Sequence, residues 1–192
     1  MLEKIDLNKK MSKQEYSESL PKIEAELGRL QRECKDLDIP VMIVFEGFGA
    51  SGKGLQIGKL IHSMDPRGFE VHTIKNETEE ERMHPFLWRF WIKTPEKGKI
   101  AVFDGSWYRK VWVDRFEKRT REKELKDDFA SINAFEQQLS EGGTLIIKLF
   151  LDIDQDEQEK RFKKYLPKVG ADPGEKERDA MESDSGRQRE KC

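Results

Sequence analysis

The sequence predicts an α/β fold of three layers, α/β/α, built on a parallel sheet and preceded by an N-terminal helical region. Three observations carry this reading. Short apolar runs alternate with stretches of helical period, the order that yields parallel strands with helices covering both faces of the sheet. The first apolar run stops at a glycine-rich loop that leads into a helix. A chain of 192 residues with 35% hydrophobic content is also enough for one sizeable core.

The helical region, residues 1–39, carries a start signal. Ser12 and Glu15 have capping-box spacing, in which each side chain satisfies a backbone N–H of the other residue. Tyr16, Leu20, Ile23, Leu27 and Leu30 follow at steps of three or four, so an amphipathic helix is expected, its apolar stripe packed in the core. Pro21, which lacks an N–H, should kink or restart it. The α/β domain spans residues 40–166. Residues 40–46 read as the first strand and residues 52–64 as the helix after its loop. Residues 70–74, 99–103 and 144–151 are three further strands, each short, apolar and separated by helical pattern. Between them, residues 78–91 are charged at the start and aromatic at the end, and Phe129, Ile132, Phe135 and Leu139 mark one face of a helix. Residues 167–192 contain one Val and one Met but no Leu, Ile or aromatic residue. Such a segment buries too little to offset the entropy of ordering it, so a disordered polar tail is expected there.

Charge excludes several partners. With 36 Lys and Arg against 38 Asp and Glu, the formal net charge is -2, and no global field draws in nucleic acid or an anionic membrane. A polyanion must therefore be held by a local basic patch. Cys34 and Cys192 make no disulfide framework, which suits a reducing compartment, and no segment has the apolar length of a signal sequence or a membrane span. A cytoplasmic protein is expected.

The loop carries the chemistry. Val41-Met42-Ile43-Val44-Phe45 runs into Glu46-Gly47-Phe48-Gly49-Ala50-Ser51-Gly52-Lys53-Gly54, a complete match to the G-x-x-x-x-G-K phosphate-binding pattern. Gly47, Gly49, Ser51, Gly52, Lys53 and Gly54 are the candidate phosphate contacts: the glycines let the backbone approach an anion, the helix N-terminus offers free N–H groups, and Lys53 adds a point charge. Gly54 stands where the common form has Ser or Thr, so the hydroxyl that usually holds magnesium is missing. A bare strand-to-helix turn is the competing reading, and the strand before and helix after the loop disfavour it. Phosphoryl transfer also asks for an acid near the metal at the end of a neighbouring strand. Asp104 follows Ile100-Ala101-Val102-Phe103 in that place and is the candidate magnesium ligand, although an Asp ending a strand is commonly a turn or cap residue. Lys53, Asp104, Arg109 and Lys110 are the candidate catalytic residues, with Arg89 a further phosphate contact. Arg82 and Lys75 read as solvated charges. Trp88, Trp91 and Trp107 read as core in preference to base stacking. His62, His72 and His84 have no metal-ligand spacing.

Glu46-Gly47-x-x-Ala50-Ser51-Gly52-Lys53-Gly54, Pro85-Phe86-Leu87-Trp88-Arg89-Phe90-Trp91 and Phe103-Asp104-x-Ser106-Trp107-Tyr108 together resemble the second family of polyphosphate kinases, which move phosphate between inorganic polyphosphate and nucleotides. Ile147-Lys148-Leu149-Phe150-Leu151, then Glu157-Gln158 and Arg161-Phe162, continue the likeness, which covers residues 12–165. The resemblance implies a P-loop kinase-like domain, magnesium as cofactor, inorganic polyphosphate and a nucleotide (AMP, ADP or guanine equivalents) as substrates, and basic residues lining a channel for the polymer. It implies that the loop binds polyphosphate or nucleotide phosphate and that Asp104 holds the metal. A homo-oligomer is expected, with neither nucleic acid nor membrane as partner.

The chain also departs from the family pattern. An acid is usual where Gly49 stands and Arg where Gly105 stands, and the Asn-Arg pair after the Tyr is Arg109-Lys110 here. Lys at 110 keeps a charge but cannot grip phosphate bidentately. The family pattern continues past the helix of Arg161 with a lid bearing Arg and Asp and a further strand, where this chain has its polar tail, so weak activity is expected. The alternative is a degenerate domain that binds nucleotide or polyphosphate without catalysis and pairs with an active copy. An ordinary ATP-dependent kinase is permitted by the loop but not suggested by the other motifs, and no Asn-Lys-x-Asp supports a GTPase.

Overall fold

The computed structural model describes residues 10–116 and 122–165. Its centre is strand β1 (Val41–Gly47), whose first five residues are buried. Alternate side chains go to opposite faces of a strand, so Met42 and Val44 enter one core and Val41, Ile43 and Phe45 the other. A strand that is apolar on both faces needs helices on both. Helix α1 (Lys13–Asp36) and helix α2 (Lys53–His62) lie on one side, where Cys34, Ile57 and Leu60 meet Val41, Ile43 and Phe45. Beyond strand β2 (Phe69–Thr73) come two single-turn helices, α3 (Glu79–Arg82) and α4 (Trp88–Trp91), and strand β3 (Ile100–Asp104). Helix α5 (Tyr108–Phe116) and helix α6 (Glu122–Glu141) supply the other layer, where Trp107, Val111, Ile132, Phe135 and Leu139 meet Met42, Val44 and Phe103. Strand β4 (Leu145–Leu151) and helix α7 (Gln155–Tyr165) complete the described elements.

The four strands run parallel in the order β2-β3-β1-β4. The register aligns their C-terminal ends: Phe45 pairs with Asp104, Asp104 with Thr73, and Gly47 with Leu151. In open parallel sheets ligands bind outside the carboxyl ends of the strands. All the sequence motifs of the loop and of Asp104 therefore open onto one edge of the sheet.

Three expectations change. Helix α1 starts with the capping box of Ser12 and Glu15 but does not restart at Pro21, running unbroken to Asp36. Pro21 and Ser17 are solvent-exposed, so water can satisfy the carbonyl that the missing N–H leaves open. Nor is the stripe of α1 core throughout: Tyr16, Ile23 and Leu30 are exposed, and the helix's buried residue is Gln31, which bonds the backbone of Asp65 in both directions. Periodicity says which residues share a face, not whether anything lies opposite. Helices flank both faces of the sheet, but among the described residues the cover over β4 is incomplete, with only Ile146 and Leu151 packed against the two cores. Leu145, Ile147, Leu149 and Phe150 of β4 are exposed, because β4 is an edge strand of the described sheet. The polar tail expected at 167–192 lies outside the described residues.

Candidate active site

The loop after β1 takes a shape that ordinary residues resist. Gly47 has φ +143°, and a Cβ there would sit 2.2 Å from the carbonyl oxygen of Leu151. Ala50 is left-handed at φ +56°, and Gly52, at φ +98°, caps α2 without any side-chain hydrogen bond. The first N–H groups of α2 thus lack a side-chain cap, the arrangement that binds anions. Ser51 is only 8% exposed, yet its Oγ has no hydrogen-bond partner among the described residues. Such an orphan costs free energy unless something fills it. Lys53 Nζ donates to the carbonyls of Gly47 (2.9 Å) and Phe48 (3.2 Å), which holds the ammonium at the mouth of the loop. Gly54 is exposed, with open space where a side chain would go.

Asp104 ends β3 beside this loop. The backbone N–H of Gly105 donates to Phe45 O at 3.0 Å, and Asp104 O accepts from Ile74 N–H at 3.0 Å, so the backbone here is pinned on both sides. Its carboxylate has no protein partner among the described residues. Arg109 reaches from α5 to Asn76 beyond β2, Nη2 donating to Oδ1 at 2.8 Å. Lys110 Nζ lies 5.4 Å from the centre of the Phe86 ring. Arg89 is placed differently. It is 8% exposed, its Nη2 donates to Lys75 O at 3.0 Å, and its Nε lies 3.3 Å from Glu81 Oε1 without hydrogen-bond geometry. In this structure Arg89 braces the connection between β2 and β3.

Glu46 is a site residue that motif reading passed over. Its Oε1 accepts from Ser106 Oγ at 2.5 Å, while Ser106 Oγ accepts from the N–H of Tyr108 at 3.2 Å. Burial pushes the Glu46 carboxyl above its ordinary value, partly offset by the Ser106 hydroxyl, Lys53 and Arg109. The same rule that singled out Asp104, an acid at the end of a buried strand, could have found it. A carboxyl whose folded value is raised stabilises the fold below the unfolded value near 4.5 and loses that contribution as pH rises through the folded value. Glu46→Gln keeps an acceptor for Ser106 and removes the titration. Melting temperatures of mutant and wild type should therefore coincide near the acid end and diverge in the mutant's favour toward pH 8. A gap independent of pH would contradict this assignment.

The Ser106-Trp107-Tyr108 motif proves to be a tie between layers. Trp107 is fully buried, and its Nε1 donates to Glu136 Oε1 at 3.0 Å. Tyr108 Oη donates to the same oxygen at 2.8 Å, and Lys148 Nζ bonds Glu136 Oε2 at 2.8 Å. Trp88 stacks on His84 with centroids 4.0 Å apart, and Trp91 meets Phe135 edge-on at 4.7 Å. The exposed aromatics near the loop are others. A cleft of about 200 Å³ opens beside Glu46, between Tyr108 and Trp112 of α5 and Lys148 and Phe150 of β4.

The donor set suits magnesium in one mode only. Among the described residues no three His, Cys, Asp or Glu side chains gather to hold a metal. Mg²⁺ is commonly bound by one or two carboxylates plus substrate phosphates, and the partner-free carboxylate of Asp104 beside a phosphate loop fits that mode.

The family model described as polyphosphate kinase 2 (PPK2) matches residues 10–171. The chain belongs to the polyphosphate kinase 2 family. It is 38% identical over 162 residues to a polyphosphate:AMP phosphotransferase of Pseudomonas syringae pv. tomato, a match covering 84% of this chain and 32% of that protein. It is 31% identical over 151 residues to ADP-polyphosphate phosphotransferase 3 of Rhizobium meliloti, covering 79% of this chain and 53% of that one. Among solved structures, polyphosphate kinase 2 from Arthrobacter aurescens TC1 superposes with a TM-score of 0.82 at 31% identity, over 87% of this chain and 62% of that one. The chain thus spans about a third to a half of the length of these curated relatives. The polyphosphate kinase 2 match runs through every motif described above, from the capping box of α1 to Arg161 of α7.

Proposed function

We propose that this chain is a polyphosphate-dependent nucleotide kinase, transferring phosphate between inorganic polyphosphate and a nucleotide. The observation that carries the reading is the loop itself: an uncapped helix N-terminus, Lys53 at its mouth and the orphan Ser51 Oγ, all suited to an oxyanion. The named activities of the relatives supply the substrate class. The α/β domain of residues 40–166 bears the site, and residues 1–39 are a helical extension to it. A cytoplasmic location is part of this proposal; among the described residues no helix is long and apolar enough to cross a membrane.

In the reaction, an oxygen of the nucleotide's terminal phosphate attacks the end phosphorus of the polymer. The P–O bond to the next phosphate breaks, its electron pair leaves with the shortened chain, and the nucleotide gains one phosphate. Loop amides and Lys53 hold and neutralise one run of phosphate oxygens. Arg109 and Lys110, at the start of α5, are the further cations assigned in this reading to neutralise the transferred group. The exposed rings of Trp112 and Phe150 beside the cleft give a base a stacking surface. Magnesium, when bound by Asp104 together with the phosphates, would supply further neutralisation of charge.

The test is a transfer assay of the full chain with polyphosphate against AMP, ADP, GMP and GDP. Phosphate gained by any of them supports the kinase; tight binding without transfer to all four favours the degenerate, non-catalytic alternative, which the absence of an acid at Gly49 recommends. Asp104→Asn should abolish the tightening of nucleotide binding by magnesium and leave metal-free binding nearly unchanged. Calorimetry with and without the metal decides this, and an equal magnesium effect in both variants would assign the metal elsewhere.

A further inference from the structure

A phosphate loop works only if its carbonyls point away from the anion, and here one distant helix takes hold of them. Gln158 Nε2 donates to the carbonyl of Gly49 at 3.0 Å. Arg161 Nη1 donates to the carbonyls of both Ala50 and Ser51, each at 3.1 Å. Three consecutive loop carbonyls are thus engaged by two side chains three residues apart on α7, which share one helix face. Peptide units are planar and trans, so fixing a carbonyl aims the next residue's N–H the opposite way. Holding the oxygens of Gly49 and Ser51 therefore sets the N–H groups of Ala50 and Gly52.

The contact is built. Gln158 is 2% exposed, and α7 has it as its one fully buried side chain among the described residues. Arg161 Nε is anchored by Glu157 Oε1 at 2.8 Å, and Glu157 N–H is fixed in turn by Asp154 Oδ1 at 2.7 Å. The hydrogen bond from Arg161 also holds the Glu157 carboxyl below its usual value. Ala50, the residue under the guanidinium, is one of two non-glycine residues at positive φ among those described, a conformation that must be over-determined by its surroundings. A guanidinium on two carbonyls additionally polarises their peptide units, making the linked N–H groups better donors.

We propose that Gln158 and Arg161 are positioning residues that preset the phosphate loop for its anion, with Glu157 orienting Arg161. This rests on the phosphate-binding reading of the loop. Neither residue touches the phosphates; they act through the backbone of Gly49, Ala50 and Ser51.

The experiment measures tripolyphosphate affinity of the full chain by calorimetry at low and high salt, alongside thermal melting, for Gln158→Ala, Arg161→Ala, Arg161→Lys, Glu157→Gln and Lys53→Ala. Gln158→Ala should weaken binding about tenfold at both salt concentrations, because it alters no charge. Arg161→Ala should weaken it more at low salt than at high, and Arg161→Lys, which keeps the charge but has no second nitrogen to bond Glu157 while the first holds the carbonyls, should recover only part of the loss. Glu157→Gln should cost a few-fold. A purely structural role would lower melting temperatures and leave affinity at 25 °C untouched in the variants that stay folded, which would overturn the proposal. Should Gln158→Ala or Arg161→Ala unfold, Arg161→Lys and Glu157→Gln decide by the same criterion. Lys53→Ala separates the two layers of inference: unchanged affinity there refutes phosphate binding by the loop, whereas a loss there with wild-type affinity in all four α7 variants refutes only the positioning role.

Discussion

Lys53→Ala weakens binding of tripolyphosphate by about 2 kcal/mol or more, roughly thirtyfold, the range of a lost charged hydrogen bond. The loop has no hydroxyl at Gly54 and no acid at Gly49, so few other side chains share the work of gripping and placing the phosphates. Lys53 also bonds the loop's first carbonyls, those of Gly47 and Phe48, which holds its ammonium at the loop. Turnover should fall further than affinity, since charge neutralisation grows toward the transition state of transfer. Calorimetry and a transfer assay on one preparation measure both; equal phosphate affinity in mutant and wild type would remove the basis of the assignment.

Gly47→Ala is expected to destabilise the fold by about 3 to 5 kcal/mol, a strained backbone added to an overpacked contact. The added Cβ would meet the Leu151 carbonyl at 2.2 Å, and at φ +143° no L side chain is comfortable. The clash involves backbone on both sides, so no side-chain rotation relieves it. Since Gly47 pairs with Leu151 in the register of β1 and β4, relief means parting those strands at the point where the loop begins. Urea unfolding followed by circular dichroism would report the loss. A change under about 1 kcal/mol would show that the strands slide apart freely, contrary to the tight packing expected of a sheet centre. This glycine therefore has a second duty beside its place in the phosphate motif.

Much of the molecule was legible because the signals are local. The capping box at Ser12 and Glu15, the apolar run of 41–45 and the helix that opens after Gly52 each involve residues within a few positions of one another, and each appears in the structure at or near the expected place. Strand ends shifted by a residue or so, as hydrogen-bonded boundaries do. Arg89 was less transparent. Its neighbours Trp88, Phe90 and Trp91 show an aromatic helix, but nothing local says that the guanidinium turns inward to Lys75 O and Glu81.

The sequence by itself determined the alternation of strands and helices, the phosphate loop with Lys53, the acid at Asp104 and the family to which the chain belongs, because period, turn chemistry and motif spacing are properties of neighbouring residues. Only the tertiary structure decided what faces what. It placed β4 at the edge of the described sheet with Leu145, Ile147, Leu149 and Phe150 exposed, left half of the α1 stripe in solvent, joined Glu46 to Ser106 across 60 residues, and brought Gln158 back onto Gly49 across 109. Such contacts depend on strand order and on the burial each side chain meets after the sheet is assembled, and periodicity along a chain records neither.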